Sequence, residues 1–174
     1  MKANRPLAVL VTIIFSIMML LYVREFSVFS NTLEIKRLVL ISMLGAGVMT
    51  VGAVWFWRSW FMPWEDHFPT AVMILIFSLV FAPLFGSLLN RGLGHDETQS
   101  FDFISETAYF ATGYGVLKGE KLNPTGWKLR IREGEMDWRL SYKSQAYFPI
   151  TKPGEKILLP LRQGIFGVRV VSLK

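Results

Sequence analysis

Three long apolar runs alternate with short polar segments in the first half of the chain. They cover residues 7–23, 38–57 and 68–89, and none contains Asp, Glu, Lys, Arg or His. Because a helix rises about 1.5 Å per residue, about 20 residues cross the roughly 30 Å hydrocarbon core of a bilayer. The pattern predicts a membrane domain over residues 1–90 with three transmembrane helices. The first run also resembles a signal peptide, but no small-residue cleavage site follows it, which favours an uncleaved anchor.

Some positions in these runs carry residue types with a defined role in helices. The second run has pairs of small residues seven positions apart on one helix face: Gly45, Ala46, Gly52 and Ala53. This face is predicted to pack against the other helices, with a dimer seam as the alternative. Residues 31–34 have the form of a capping box for the second helix. Pro69 suits the first turn of the third helix, and Pro83 is expected to kink it.

The periodicity changes from helical to alternating in the second half of the chain. Apolar and polar residues alternate over 127–132 and again over 136–143, across a turn that contains Gly134, which predicts a β-hairpin. Further strands are expected within 106–117, at 147–151, at 156–161 and after Gly164, about six in total. We therefore expect a linker over 91–105 and a small all-β domain over 106–174, a barrel or sandwich of SH3-like or OB-like size. The predicted fold class is membrane α plus β.

Basic residues follow the polar face of the predicted hairpin. They are Lys128, Arg130, Arg132, Arg139 and Lys143. The chain has a net charge of +6, and a positive surface beside a bilayer favours anionic headgroups or an acidic protein as its contact. A solvated face without a partner is the alternative. Nucleic acid is not expected, because base-stacking aromatic residues would have to share this face and they alternate to the other one.

Both histidines lie in acidic triplets, which are the strongest candidates for chemistry. The triplets are Glu65-Asp66-His67 and His95-Asp96-Glu97. The third helix separates them by the thickness of the membrane, and three adjacent residues rarely converge on one metal ion. Asp66 instead suits the N-terminal end of that helix. Cysteine is absent, and no serine lies in a Gly-x-Ser-x-Gly motif. We predict no catalytic residue, no metal site and no cofactor.

A membrane protein without catalytic features is expected to act through its contacts. The sequence favours a non-catalytic accessory or scaffold subunit of a membrane assembly, with the β domain as its interaction module. Its expected partners are membrane lipids and either another protein or a second copy bound through the helices. The alternative is a subunit of a small homo-oligomeric channel or transporter. Basic residues flanking the helices number three on one side and four on the other, and we expect the β domain to be cytoplasmic.

Overall fold

The computed structural model describes residues 5–110, 124–143 and 145–173, except for the side chains of residues 5, 7 and 8. The helices are α1 (Arg5–Phe29), α2 (Ile35–Phe56) and α3 (Trp64–Gly92), with a 3₁₀ turn at Arg58–Phe61. The described strands are β1 (His95–Tyr109), β2 (Gly126–Glu133), β3 (Met136–Tyr142), β4 (Lys156–Gln163) and β5 (Arg169–Val171). The predicted fold class is confirmed: three long apolar helices precede a small β domain.

Each helix is long and apolar enough to cross a membrane, and each extends beyond its predicted run. The predicted capping box is wrong. Thr32 donates its hydroxyl to the Val28 carbonyl at the end of α1, and Glu34 precedes α2 without capping it. Pro69 lies in the second turn of α3 and not in the first, because the helix already begins at Trp64. Pro83 is buried inside α3.

The third helix lies between the other two. Against α2 it packs closely where Gly86 meets Ser42, since a Cβ atom at Gly86 would lie 1.8 Å from the Ser42 hydroxyl oxygen. Against α1 it packs through aromatic rings. The centre of the Phe15 ring lies 6.0 Å from the ring centres of both Phe77 and Phe81. Edge-to-face pairs of this kind are favourable beyond their buried area. The centre of the helical part is therefore α3.

The small-residue face of α2 is only partly used within the chain. Ala46 and Ala53 are half-buried, whereas Gly45 and Gly52 are exposed. Beyond the nearby backbone of α2, no described atom lies within 4 Å of the place where a Cβ would stand at either glycine. Packing of this face against another molecule stays a prediction.

The strands form one antiparallel curled sheet in the order β3-β2-β1-β4-β5. The segment expected to be a linker is mostly strand, because β1 begins at His95 and pairs with β4 over its first eight residues. The strand predicted at 147–151 is also wrong. Its residues form a turn, in which the backbone N–H groups of Tyr147 and Phe148 donate to the Glu106 carboxylate. Residues 111–117 of the predicted first strand lie outside the described residues.

The connection between α1 and α2 completes the sheet. Leu33 donates its backbone N–H to the Arg169 carbonyl, and Val171 donates to the Asn31 carbonyl, each at 2.9 Å. At the opposite edge, the Asn31 side chain donates to the Ser141 carbonyl at 2.9 Å and accepts from the Ser141 N–H at 2.8 Å. The loop thus pairs with both edge strands, β5 and β3, and closes the half-barrel.

Leu33 also supplies part of the core of the β domain. Its side chain is 2% exposed and lies in one cluster with buried residues of the sheet, among them Leu129, Leu140 and Leu159. An apolar side chain from the membrane part therefore fills the interior of the barrel. Burial of a leucine of this kind stabilises a fold by about 1.5–3 kcal/mol.

The Leu33→Ala variant tests this closure. We expect it to lower the free energy of unfolding of the β domain by about 2–5 kcal/mol, because it leaves a cavity in a packed core. Thermal unfolding of the purified full chain, followed by the near-ultraviolet signal of the tryptophans, measures the change. Leu40→Ala is the matched control, since Leu40 is 60% exposed on α2. If Leu33→Ala and Leu40→Ala lowered the free energy of unfolding by the same amount, Leu33 would not be part of the core.

Candidate functional site at the membrane junction

Three polar clusters lie at the junction of the helices and the sheet, and the first surrounds Arg169. Its guanidinium donates to Glu34, to both carboxylate oxygens of Glu133 at 2.8 Å, and to Gln99 at 2.8 Å. The Arg169 side chain is only 17% exposed. These hydrogen bonds lower the pKa of Glu133 below its ordinary value and raise the pKa of Arg169. The cluster ties the start of α2 to strands β1, β2 and β5.

The second cluster centres on Glu25 in the last two turns of α1. Glu25 is 5% exposed and accepts hydrogen bonds from Arg91 at 2.7 and 2.8 Å and from the Ser87 hydroxyl. A buried carboxylate requires such partners, because an unpaired charge away from water is very costly. The cluster ties α1 to the end of α3. Sequence reasoning missed it, since Glu25 lies just beyond the apolar run.

The third cluster centres on Asn90, which is fully buried near the end of α3. Its side chain donates to the Val168 carbonyl and accepts from the Phe166 N–H, each at 3.1 Å. Gly164 lies directly against it, and a Cβ there would be 2.1 Å from the amide group. The side chain of Asn90 therefore holds the loop between β4 and β5 against α3, and there is no space for a larger residue at Gly164.

The predicted basic residues separate into two places. Lys128, Arg130, Arg132 and Arg139 are exposed on the outer face of β2 and β3, which we call the basic face. Lys143 follows β3 and lines a separate cavity with Arg91 and Arg162. The antiparallel register of β2 and β3 places Lys128, Arg130, Arg132 and Arg139 close together on one face of the sheet. Lys143 is set apart by the end of the strand at Tyr142.

Two members of the basic face have local partners. Arg132 pairs with Asp137 at 2.7 Å, which raises the pKa of Arg132 and lowers the pKa of Asp137. The Lys128 ammonium lies 5.5 Å from the centre of the Tyr109 ring. Arg130 and Arg139 stand directly opposite each other, and neither forms an ion pair with a described residue. Both lie close enough to Asp137 to contribute to the lowering of the pKa of that carboxyl.

Comparison with known proteins gives no relative. No family model, no curated protein and no solved structure matches the chain. The function is therefore proposed from the geometry of the basic face, the helices and the junction.

The two acidic triplets are not brought together. Glu65 and Asp66 lie in the first turn of α3, where carboxylates are favourable beside the helix N-terminus. His95 begins β1, beyond the other end of the same helix, and 29 residues of helix span roughly 43 Å. Within the described ranges, no three His, Asp or Glu side chains are arranged to hold a metal ion. Exposed tryptophans surround the first triplet, as at a membrane interface.

An open apolar groove of about 890 Å³ runs between α2 and α3. It is lined by small residues of both helices, including Ala46, Ala53 and Gly86. Phe166 of the β4–β5 loop lies at its domain end, and Trp57 lies at the other end of α2. Most of the side chains that line it are apolar.

The Arg169 cluster predicts a pH dependence of stability. The pKa of Glu133 is lower in the folded chain than its ordinary value of 4.5, so its stabilisation is present above that value and is lost as the pH falls below it. We expect Glu133→Gln to destabilise the chain by about 1.5–3 kcal/mol at pH 7 and to flatten the loss of stability between pH 5 and pH 3. Thermal unfolding across this pH range measures both effects.

Glu135→Gln is the control for this experiment, because Glu135 is exposed in the β2–β3 turn. It should follow the wild type at every pH. A Glu133→Gln variant with the same acid sensitivity as the wild type would contradict the role of the cluster.

Proposed function

We propose that the chain is a non-catalytic accessory or scaffold subunit of a membrane assembly, and that its basic face binds an acidic partner protein. The observation that supports this most is the pairing of Arg130 with Arg139. Like charges placed directly opposite on neighbouring strands destabilise a sheet by roughly 0.2–1 kcal/mol. An acidic partner removes this repulsion, because each guanidinium then gains a carboxylate and a charge-assisted hydrogen bond.

The attachment of the sheet supports the same role. A β domain on a flexible linker samples many orientations, and a partner must then restrict them at a cost in entropy. Here the sheet is closed by the α1–α2 loop and fixed by Asn90 and Arg169. The basic face therefore has one orientation relative to the helices, which is what a scaffold requires.

The helices add a second surface for association. Gly45 and Gly52 are exposed on α2, and most side chains of α1 are exposed in the described part of the chain. A helix of a partner can approach such a face closely. The homo-oligomeric channel uses the same face for a second copy, and it stays the alternative. Mass determination after gentle-detergent extraction separates the two, since a scaffold gives a hetero-complex and the channel gives a closed homo-oligomer.

The Arg130→Gln/Arg139→Gln double variant tests the basic face. We expect at least about tenfold less of the hetero-complex after purification from native membranes, which corresponds to 1.4 kcal/mol of binding. Stability of the isolated chain should stay the same or rise slightly, because the repulsion is removed. Quantitative mass spectrometry and thermal unfolding give the two readouts.

The control is Lys152→Gln/Lys156→Gln, which removes the same charge from exposed positions in the loop before β4 and at the start of β4, a strand separated from β2 by β1. This control variant should give the same amount of hetero-complex as the wild type. Wild-type amounts of the complex with the Arg130→Gln/Arg139→Gln variant would refute docking on this face.

We further propose that the β domain lies in the cytoplasm, from the basic residues at its end of the helices. Single cysteines at Ser59 and Ser100, both exposed and at opposite ends of α3, test this in a chain that has no other cysteine. In intact cells, a membrane-impermeant maleimide should label Ser59→Cys and not Ser100→Cys. The reverse pattern would place the β domain outside. Labelling of both sites after lysis shows that each is reactive.

A further inference from the structure

A cavity of about 900 Å³ with both polar and apolar walls lies where α1 and α3 meet the sheet. Its walls come from the last turns of both helices, from both ends of β1, and from the ends of β3, β4 and β5. Asp96 and Tyr109 both line it, although they lie at opposite ends of β1, because the strand curls around. The cavity thus opens at the level where the helices leave the apolar part of the membrane.

Positive charge dominates the lining of this cavity. Among the described residues that line it, Arg91, Lys143 and Arg162 are basic and only Asp96 is acidic. Asp96 is 85% exposed and lies 3.8 Å from Arg162, so water screens much of this pair. The carboxylate of Glu25 neutralises part of the positive charge of Arg91. The C-terminal ends of α1 and α3 carry partial negative charge, so an anion here must be held by the side chains.

The guanidinium groups of Arg91 and Arg162 each have N–H donors that form no hydrogen bond with a described residue. Arg91 uses one terminal nitrogen for Glu25, and Arg162 uses one for the Gly94 carbonyl at 3.1 Å. The Nε atom of each is buried and has no acceptor among the described residues. Arginine carries five N–H donors in a planar fork that matches phosphate and carboxylate oxygens. The Nε atoms are closed off from solvent, so an anion in the cavity would be held by the terminal nitrogen of each guanidinium that forms no hydrogen bond with a described residue.

We propose that this cavity binds the phosphate of an anionic phospholipid headgroup. Apolar side chains, including Phe26 and Val28 of α1 and Leu173, line the same space beside the cations. A phospholipid has both parts, a phosphate for the guanidinium groups and glycerol and acyl chains for the apolar wall. Basic pockets between transmembrane helices at the membrane surface bind headgroups in this way. The site differs from the basic face, whose four residues do not line this cavity.

The test uses the purified full chain in mild detergent, titrated with short-chain phosphatidylglycerol. Binding is followed by the rise in the thermal unfolding midpoint. Phosphatidylcholine and inorganic phosphate at equal ionic strength are the comparison ligands. We expect phosphatidylglycerol to stabilise the chain at concentrations at least tenfold lower than either. Equal stabilisation by inorganic phosphate would overturn the lipid assignment in favour of a soluble anion, and equal stabilisation by phosphatidylcholine would overturn the requirement for an anionic lipid.

Lys143→Gln and Arg162→Gln locate the site. Lys143 is exposed and forms no ion pair with a described residue, so its variant should fold as the wild type does. We expect a fivefold or greater weakening of phosphatidylglycerol binding in each variant, and a larger loss when both are combined. Arg130→Gln is the control, with the same loss of charge on the outer face. Equal weakening in all three variants, or in none, would overturn the proposal.

Discussion

The two edges of the curled sheet constrain the rest of the structure. An open sheet edge exposes unpaired N–H and carbonyl groups, which bind water or other strands. In this chain, the loop between α1 and α2 contacts both edges, pairing with β5 through the backbone at residues 31–33 and with Ser141 of β3 through the side chain of Asn31. The β domain therefore depends on α1 and α2 to complete its barrel, and the two halves of the chain form one structural unit.

The polar clusters at the junction follow from this closure. Once the loop is paired with β5, Glu34 lies beside Arg169, and the end of α3 lies against the β4–β5 loop. A buried ion pair adds little net stability, because desolvation offsets most of the attraction, but its loss leaves a buried charge unpaired. The Glu25–Arg91 and Glu34–Arg169 pairs therefore act mainly on orientation. A tilt of the sheet on the helices would separate Glu34 from Arg169, and a tilt of α1 against α3 would separate Glu25 from Arg91.

The sequence predicted those features that depend on local periodicity. The apolar runs and the alternation of β2 and β3 are visible within about 20 residues, and so is the outer face with Arg130 and Arg139. The closure is not local, since Asn31 and Ser141 are 110 positions apart. The start of β1 cannot be predicted from alternation, because residues 95–100 are all polar. These residues form a strand because they pair with β4, which does not require apolar alternation. Pro149 and Glu106 explain the absent strand at 147–151, since the carboxylate takes N–H groups that a strand would use.

The two basic regions differ in how firmly their charges are held, and this difference bears on what each can bind. On the outer face, Arg130 and Arg139 are exposed and unanchored, and their long side chains adapt to an extended acidic surface at a cost in rotamer entropy. In the junction cavity, Arg91 and Arg162 are already fixed by Glu25 and by the Gly94 carbonyl. Preorganised donors lose little entropy on binding and favour a small anion of fixed shape. The closure of the sheet creates both regions, because it brings the ends of β1, β3 and β4 to the ends of the helices while it turns the opposite face outward.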